Sequence, residues 1–278
     1  MSMLGLAGNK MAISTSPERQ QTPVLYDSVA AVRATAHAAV SSAHGILLDW
    51  DGCVVVGNNV LPATRRLLAR HADRVAIVSN NSTHLPEQLS AFLARAGLVV
   101  PPSRIILAGA EAVAWVAEAR DAGRVMIFGS APIRSLALRL GINVVRDSPD
   151  LVLLMRDTRF GYNQLARAAG ALHRGARLVV ANADRTHPGI GGDIVPETGA
   201  LLAALTSCVP GTVPIIVGKP ERLLFDRACA ILGISSGEAL MIGDNADTDI
   251  AGAKTLGIRT LHISPQALQD PGALVPEV

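Results

Sequence analysis

The stretch Gly45-Ile46-Leu47-Leu48-Asp49-Trp50-Asp51-Gly52-Cys53-Val54 decides the fold: an apolar run closes on two carboxylates one residue apart and turns at a glycine. A short unbroken apolar run reads as a strand buried on both faces, as in parallel α/β sheets. Ligands in such sheets gather beyond the carboxyl ends of the strands, where Asp49 and Asp51 stand. Side chains alternate along an extended chain, so the two acids lean one way while Trp50 points elsewhere. Taken alone, the segment also fits a strand followed by an Asp-rich turn.

Working outward, three more stretches repeat the arrangement. Arg74-Val75-Ala76-Ile77-Val78 ends at Ser79-Asn80-Asn81-Ser82-Thr83, ahead of a helix around Pro86 to Ala96. Free N–H groups and the helix dipole suit anion binding there, and the same residue types suit helix capping. Val213-Pro214-Ile215-Ile216-Val217-Gly218-Lys219-Pro220 is a strand that delivers a lysine, with Pro220 starting a helix that Gly233 stops. Ala239-Leu240-Met241-Ile242-Gly243 ends in Asp244, and Asn245-Ala246-Asp247-Thr248-Asp249 leads to a helix closed by Gly257, with Asp247 and Thr248 fitting N-caps. If these strands are parallel, Asp49, Asp51, Ser79, Lys219, Asp244 and Asp249 reach one sheet edge. Carboxylates crowded in a poorly solvated site repel unless a cation sits among them. Oxygen ligands point to Mg²⁺, usually shared with a phosphate, whose oxygens lysine and serine then bind.

The rest of the chain supplies a frame. The segment through Gln21 reads as a flexible leader, and Tyr26 to Ala43 as a helix lying at most as a lid on the sheet's edge. Val54-Val55-Val56 and Val60-Leu61 around Gly57-Asn58-Asn59 predict a hairpin flap, and Pro62 opens a helix with Leu67 and Leu68 inward. Ile105-Ile106-Leu107 then leads to a helix over Glu111 to Ala119. Strands at 124–129, 151–155 and 177–181 with helices between them predict a second layer with its own core, inserted over roughly 122–212.

Composition narrows the class. The 278 residues are 49% hydrophobic and 17% charged, which excludes disorder for most of the length. A net charge of +2 without polybasic runs, and 3% aromatic residues, give nucleic-acid binding little support. No apolar run approaches the roughly 20 residues of a membrane span. Cys53, Cys208 and Cys229 are odd in number and in no metal-ligand spacing, which suits free thiols in a reducing cytoplasm. Cys53 reads as a small buried side chain.

The ordered set Asp49-Trp50-Asp51-Gly52, Ser79-Asn80-Asn81-Ser82, Gly218-Lys219-Pro220 and Gly243-Asp244 through Thr248-Asp249 resembles the haloacid dehalogenase superfamily. The large insertion, with Ala181-Asn182-Ala183-Asp184 and Pro196-Glu197-Thr198-Gly199-Ala200-Leu201, is similar to the C2-type cap of subfamily IIA, the phosphatases of the NagD, 4-nitrophenylphosphatase and pyridoxal phosphate phosphatase type. The resemblance covers residues 44 to 265. It implies an α/β, Rossmann-like parallel-sheet core over 44–121 and 213–278, with an inserted α/β cap over 122–212 behind the 1–43 leader and helix. It implies a Mg²⁺-dependent phosphomonoesterase in which Asp49 is the nucleophile and Asp51 the general acid/base. Ser79, Asn80 and Lys219 would bind the phosphoryl group; Asp49, the Asp51 carbonyl and Asp244 would bind the metal, with Asp249 in support.

Gly52 and the presence of Asp51 favour hydrolysis of phosphate esters over dehalogenation, and Trp50, bulkier than the usual residue, is expected to pack into the core. Specificity should lie in the cap, at Asp184, Arg185 and His187, with Arg156 and Asp157 behind them. A cap of this size implies small-molecule esters as partners, and the resemblance suggests a homodimer paired through the caps. A phosphotransferase or phosphomutase, or a non-catalytic phosphometabolite-binding protein, remain the alternative classes.

Overall fold

A computed structural model describes residues 29–188 and 193–276. The leader through Gln21 and the expected helix start at Tyr26 lie outside the described residues. Helix α1 (Val29–Ser42) delivers the chain to β1 (Gly45–Leu48), followed by the hairpin β2 (Val55–Val56) and β3 (Asn59–Val60). Then come α2 (Pro62–His71), β4 (Val75–Ser79), α3 (Pro86–Arg95), β5 (Ile105–Leu107) and α4 (Ala108–Glu118). The second run is β6 (Arg124–Phe128), α5 (Ala131–Arg139), β7 (Asn143–Val144), β8 (Leu151–Leu154), α6 (Tyr162–His173), β9 (Arg177–Val180), β10 (Thr186–Pro188), β11 (Ile194–Pro196), α7 (Thr198–Cys208) and β12 (Ile215–Ile216). The chain closes with α8 (Arg222–Leu232), β13 (Ala239–Gly243), α9 (Ala251–Thr255) and β14 (Arg259–His262).

Two parallel sheets result, in the orders β14-β13-β1-β4-β5 and β12-β9-β8-β6-β7. Alternation along the strands gives each sheet two apolar faces. Ile46, Leu48, Val75, Ile77 and Ile242 face one cluster that also takes in α2, α3 and the C-terminal segment. Leu47, Ala76, Val78 and Met241 face a second cluster with α4 and α8. That second cluster runs on without a break into Val125, Ile127, Leu151, Leu153 and Val179 of the other sheet. The near face of the inserted layer therefore shares its packing with the first sheet. Only its far face, Met126, Phe128, Val152, Leu154 and Val180 under α6 and α7, is separate.

Several local expectations also change. Ile215–Ile216 pairs with β9, so the strand before Lys219 belongs to the second sheet and the lysine reaches the site from there. A strand this short takes whichever open edge its chain geometry reaches, and sequence does not encode that partner. Pro220 lies outside α8, whose N-cap is Glu221, while Gly233 does close that helix at φ +68°. The Ser79–Thr83 loop does not cap α3, since Leu85 is the N-cap and Pro86 follows it. Asn245, and neither Asp247 nor Thr248, caps the last helical segment, its Oδ1 accepting both their N–H groups. α1 is more than an edge lid: Val40 and Ala43 join the first cluster, and Arg74 donates to both their carbonyls. The hairpin forms as expected, with Val55 opposite Val60 across Gly57-Asn58. Among the described residues no helix is long and apolar enough to cross a membrane.

Candidate active site

The site is built where β1, β4 and β13 end. The last ladder bond of β1 is made by Asp49 itself, whose N–H donates to Ile242 O at 3.0 Å. Its side chain is thereby held at the edge, 7% exposed. The backbone then turns back, with the N–H groups of Val54 and Val55 donating to Trp50 O at 2.8 and 3.0 Å. Gly52 takes φ +83°, the left-handed region that costs other residues about 1–2 kcal/mol. A Cβ there would stand 2.1 Å from Asp244 Oδ2, so the glycine also makes room for the third carboxylate. Trp50 packs edge-on to Phe92, with ring centroids 5.7 Å apart, in the first apolar cluster, as expected.

Lys219 is the hub. Only 2% exposed, it places Nζ 2.6 Å from Asp49 Oδ1, 2.6 Å from Asp249 Oδ1 and 2.9 Å from Val78 O. All three ammonium hydrogens have acceptors, so a buried cation is fully satisfied. Burial works against the charged lysine, but Asp249 and Asp49 outweigh it and hold its pKa above the ordinary value. Burial lifts the Asp49 carboxyl and the Lys219 charge opposes the lift. Asp249, expected to support the metal, has both oxygens engaged, one by Lys219 and the other by the Asn245 N–H. These contacts also hold Lys219 in place.

Asp51 opens onto a cavity of about 1220 Å³ shared by both sheets, along with Ser79, Asp184, Arg185, His187 and Lys219. The crowding walls raise its pKa, an effect that His187, Lys219 and His84 oppose. The Ser79 hydroxyl is buried and accepts the Asn81 N–H at 3.0 Å. Asn80, expected on the phosphate, joins Lys219 to Asp184. Its Oδ1 accepts the Lys219 N–H at 2.7 Å, and its Nδ2 donates to Lys219 O and to Asp184 Oδ2, both at 3.0 Å. Asp184 is thus tied to the floor of the site, and burial raises its pKa.

The same loop is stitched to the second sheet by Asn182 Nδ2 donating to Asn80 O at 2.7 Å and by the Arg156 N–H donating to Ser82 Oγ at 3.1 Å. His187 sits on β10 and Arg185 just before it, both on the cavity wall. Sequence reading missed His84, which faces Asp51, and Glu197, which lies against His187. Glu197 stood inside the quoted cap stretch Pro196–Leu201, with no role attached to it.

The donor set suits a hard divalent cation. Ligand atoms of Asp49, Asp244 and Cys53 lie within 4.8 Å of one another. Burial raises the Cys53 thiol far above its usual range, leaving the two carboxylates as the oxygen donors that Mg²⁺ prefers. Asp244 is itself raised, by burial and then by Asp249, strain that a cation relieves.

Comparison with known proteins agrees with this geometry. Residues 46–143 match the haloacid dehalogenase-like hydrolase family model, and 216–264 match the HAD-hydrolase-like model. The chain belongs to the haloacid dehalogenase-like hydrolases. Its place within them is the capped subfamily IIA, among phosphatases. It is 28% identical over 223 residues to an acid sugar phosphatase of Staphylococcus haemolyticus, covering 79% of this chain and 84% of that protein. It is 28% identical over 220 residues to a dihydroxyacetone phosphatase of Corynebacterium glutamicum, covering 78% and 79%. A glycerol phosphate phosphatase of Mycobacterium tuberculosis, solved in complex with magnesium, superposes with a TM-score of 0.72 at 29% identity, covering 80% of this chain and 68% of that one.

Proposed function

We propose that this haloacid dehalogenase-type phosphatase hydrolyses small phosphomonoesters through an aspartyl-phosphate on Asp49. The observation that carries the reading is the placement of a buried, Lys219-paired Asp49 beside an Asp51 of raised pKa, both facing one cavity. An Asp49 carboxylate oxygen attacks phosphorus, the ester P–O bond breaks, and the leaving oxygen takes a proton from Asp51. Asp51, now a carboxylate, takes a proton from water as that water's oxygen attacks phosphorus, releasing phosphate and restoring Asp49. A carboxyl raised by its surroundings suits an acid that must hold a proton near neutrality.

The Lys219 charge favours the ionised form of Asp49 against its burial and, with the Ser79 hydroxyl, stands ready for the phosphoryl oxygens, which reach Nζ by sharing one of its three present bonds. Asp49, Asp244 and the Asp51 carbonyl would hold Mg²⁺, which when bound neutralises charge on the transferring group. The walls contributed by both sheets favour small esters over macromolecules. Pairing of two copies through the cap, and residence in a reducing cytoplasm that keeps Cys53, Cys208 and Cys229 as thiols, complete the reading.

The test is phosphate release across pyridoxal phosphate, phosphoglycolate, sugar phosphates, nucleoside monophosphates and 4-nitrophenyl phosphate, with Mg²⁺ and with chelator. Metal-dependent turnover is expected. Silence across the panel from folded protein rejects the phosphatase.

A further inference from the structure

The cap wall of the cavity carries a polar cluster that the phosphoryl chemistry leaves unused. Arg156 stands just past β8, His187 lies on β10 and Glu197 is the N-cap of α7, so three separate elements converge on one place. Glu197 Oε1 lies 2.7 Å from His187 Nδ1 and 3.5 Å from Arg156 Nε. The Glu197 side chain is 16% exposed. Burial raises its pKa while Arg156 and His187 draw it back, so the acid is held by the two basic groups and in turn fixes both. A carboxylate buried to this degree costs several kcal/mol unless it is paired, and here one acid answers two bases.

The forked donors on this wall are those of Arg156 and Arg185. The Arg156 main chain is anchored by Ser82 Oγ, yet its guanidinium makes no hydrogen bond to a described residue. Its side chain is 27% exposed and lines the cavity. Forked guanidinium donors match the paired oxygens of a carboxylate or a phosphate. Arg185, exposed on the same wall, makes no ion pair to a described residue either. Of the acids there, Glu197 is committed to His187 and Arg156, and Asp184 accepts from Asn80.

We propose that Arg156, with His187 beside it, forms a second anion subsite in the cavity, so that the preferred phosphoesters carry another anionic group, a carboxylate or a second phosphate, on the leaving group. The inference rests on the phosphatase reading above and names its substrate class. The phosphoryl end is bound alike for every ester, so discrimination comes from what reaches this wall.

Two matched pairs test it. 3-Phosphoglycerate and glycerol 3-phosphate differ by a carboxylate in place of a hydroxymethyl group, and fructose 1,6-bisphosphate and fructose 6-phosphate differ by a second phosphate. The native enzyme should favour the more anionic member of at least one pair by about tenfold or more in kcat/KM, the usual worth of a charge-assisted hydrogen bond. The pair in which the preference appears identifies the anion. Arg156→Met should bring that ratio close to one, chiefly through KM, and Arg156→Lys, which keeps a charge without the fork, should hold an intermediate value. A native ratio near one in both pairs, or a ratio that Arg156→Met leaves unmoved, overturns the subsite. Phosphate release across the whole panel separates the two levels: silence on every ester overturns the phosphatase reading, whereas turnover with ratios near one in both pairs overturns the anion subsite alone.

Discussion

Replacing Lys219 by methionine keeps most of the side chain's shape and removes its charge. The ammonium lies 2.6 Å from one oxygen each of Asp49 and Asp249, in a side chain 2% exposed. At an effective dielectric of about 20, each contact is worth about 6 kcal/mol of attraction, most of which offsets the desolvation of three buried charges. The variant keeps the desolvation of two acids and loses the attraction, so a net loss of about 3–5 kcal/mol is expected near neutral pH. For a chain of this size that is about 10 °C in melting temperature.

The loss has a defined pH dependence. Burial already lifts Asp49 in the native protein, and without the ammonium its folded-state pKa stands further above the unfolded value of about 3.9. The folded variant then binds more protons than its unfolded chain. Its stability is fullest below about pH 4 and falls as pH climbs through the raised folded-state value. The gap from the native protein therefore widens as pH climbs above the unfolded value. Urea unfolding at several pH values in chelator, so that no divalent ion replaces the missing charge, measures it. A destabilisation below about 1 kcal/mol, or one that stays constant with pH, refutes the reasoning.

Asp49→Asn should lower phosphate release by about 10⁴-fold or more while the circular-dichroism melt keeps its shape, and retained turnover would sink the assigned nucleophile. Gly52→Ala meets both the left-handed backbone and the Asp244 carboxylate; it should cost about 1–2 kcal/mol of stability and raise the half-saturating Mg²⁺ concentration by about tenfold. An unchanged metal requirement there would mean that Asp244 does not serve the ion. Asp184→Ala and His187→Ala should reorder a substrate panel more than they change 4-nitrophenyl phosphate hydrolysis, and equal effects on both would remove these residues from specificity.

Much of the site was legible because it lies at strand ends, and strand ends are marked locally. Asp49, Ser79 and Asp244 each follow an apolar run whose pattern alone identifies a buried strand, and the structure places them at one edge. Partners across the chain were not legible. Asn80 and Asp249 are polar residues beside known motifs, and nothing local distinguishes a phosphate or metal ligand from a group that clamps Lys219. The arrival of residue 219 from the other sheet sets the contacts that both make with it. Glu197 was invisible for the same reason, since its pairing with His187 and Arg156 joins α7, β10 and β8.

By itself the sequence determined the parallel α/β class, the order of the chemically capable residues and the flap hairpin. Each of these follows from periodicity and turn chemistry within a few residues. The tertiary structure alone decided that β12 pairs with β9, that one apolar cluster runs through both sheets, and that Lys219 spends its three hydrogens on Asp49, Asp249 and Val78 O. Those outcomes depend on which distant faces and edges meet when apolar surface is buried and buried charges must find partners, and no local window of sequence contains that information.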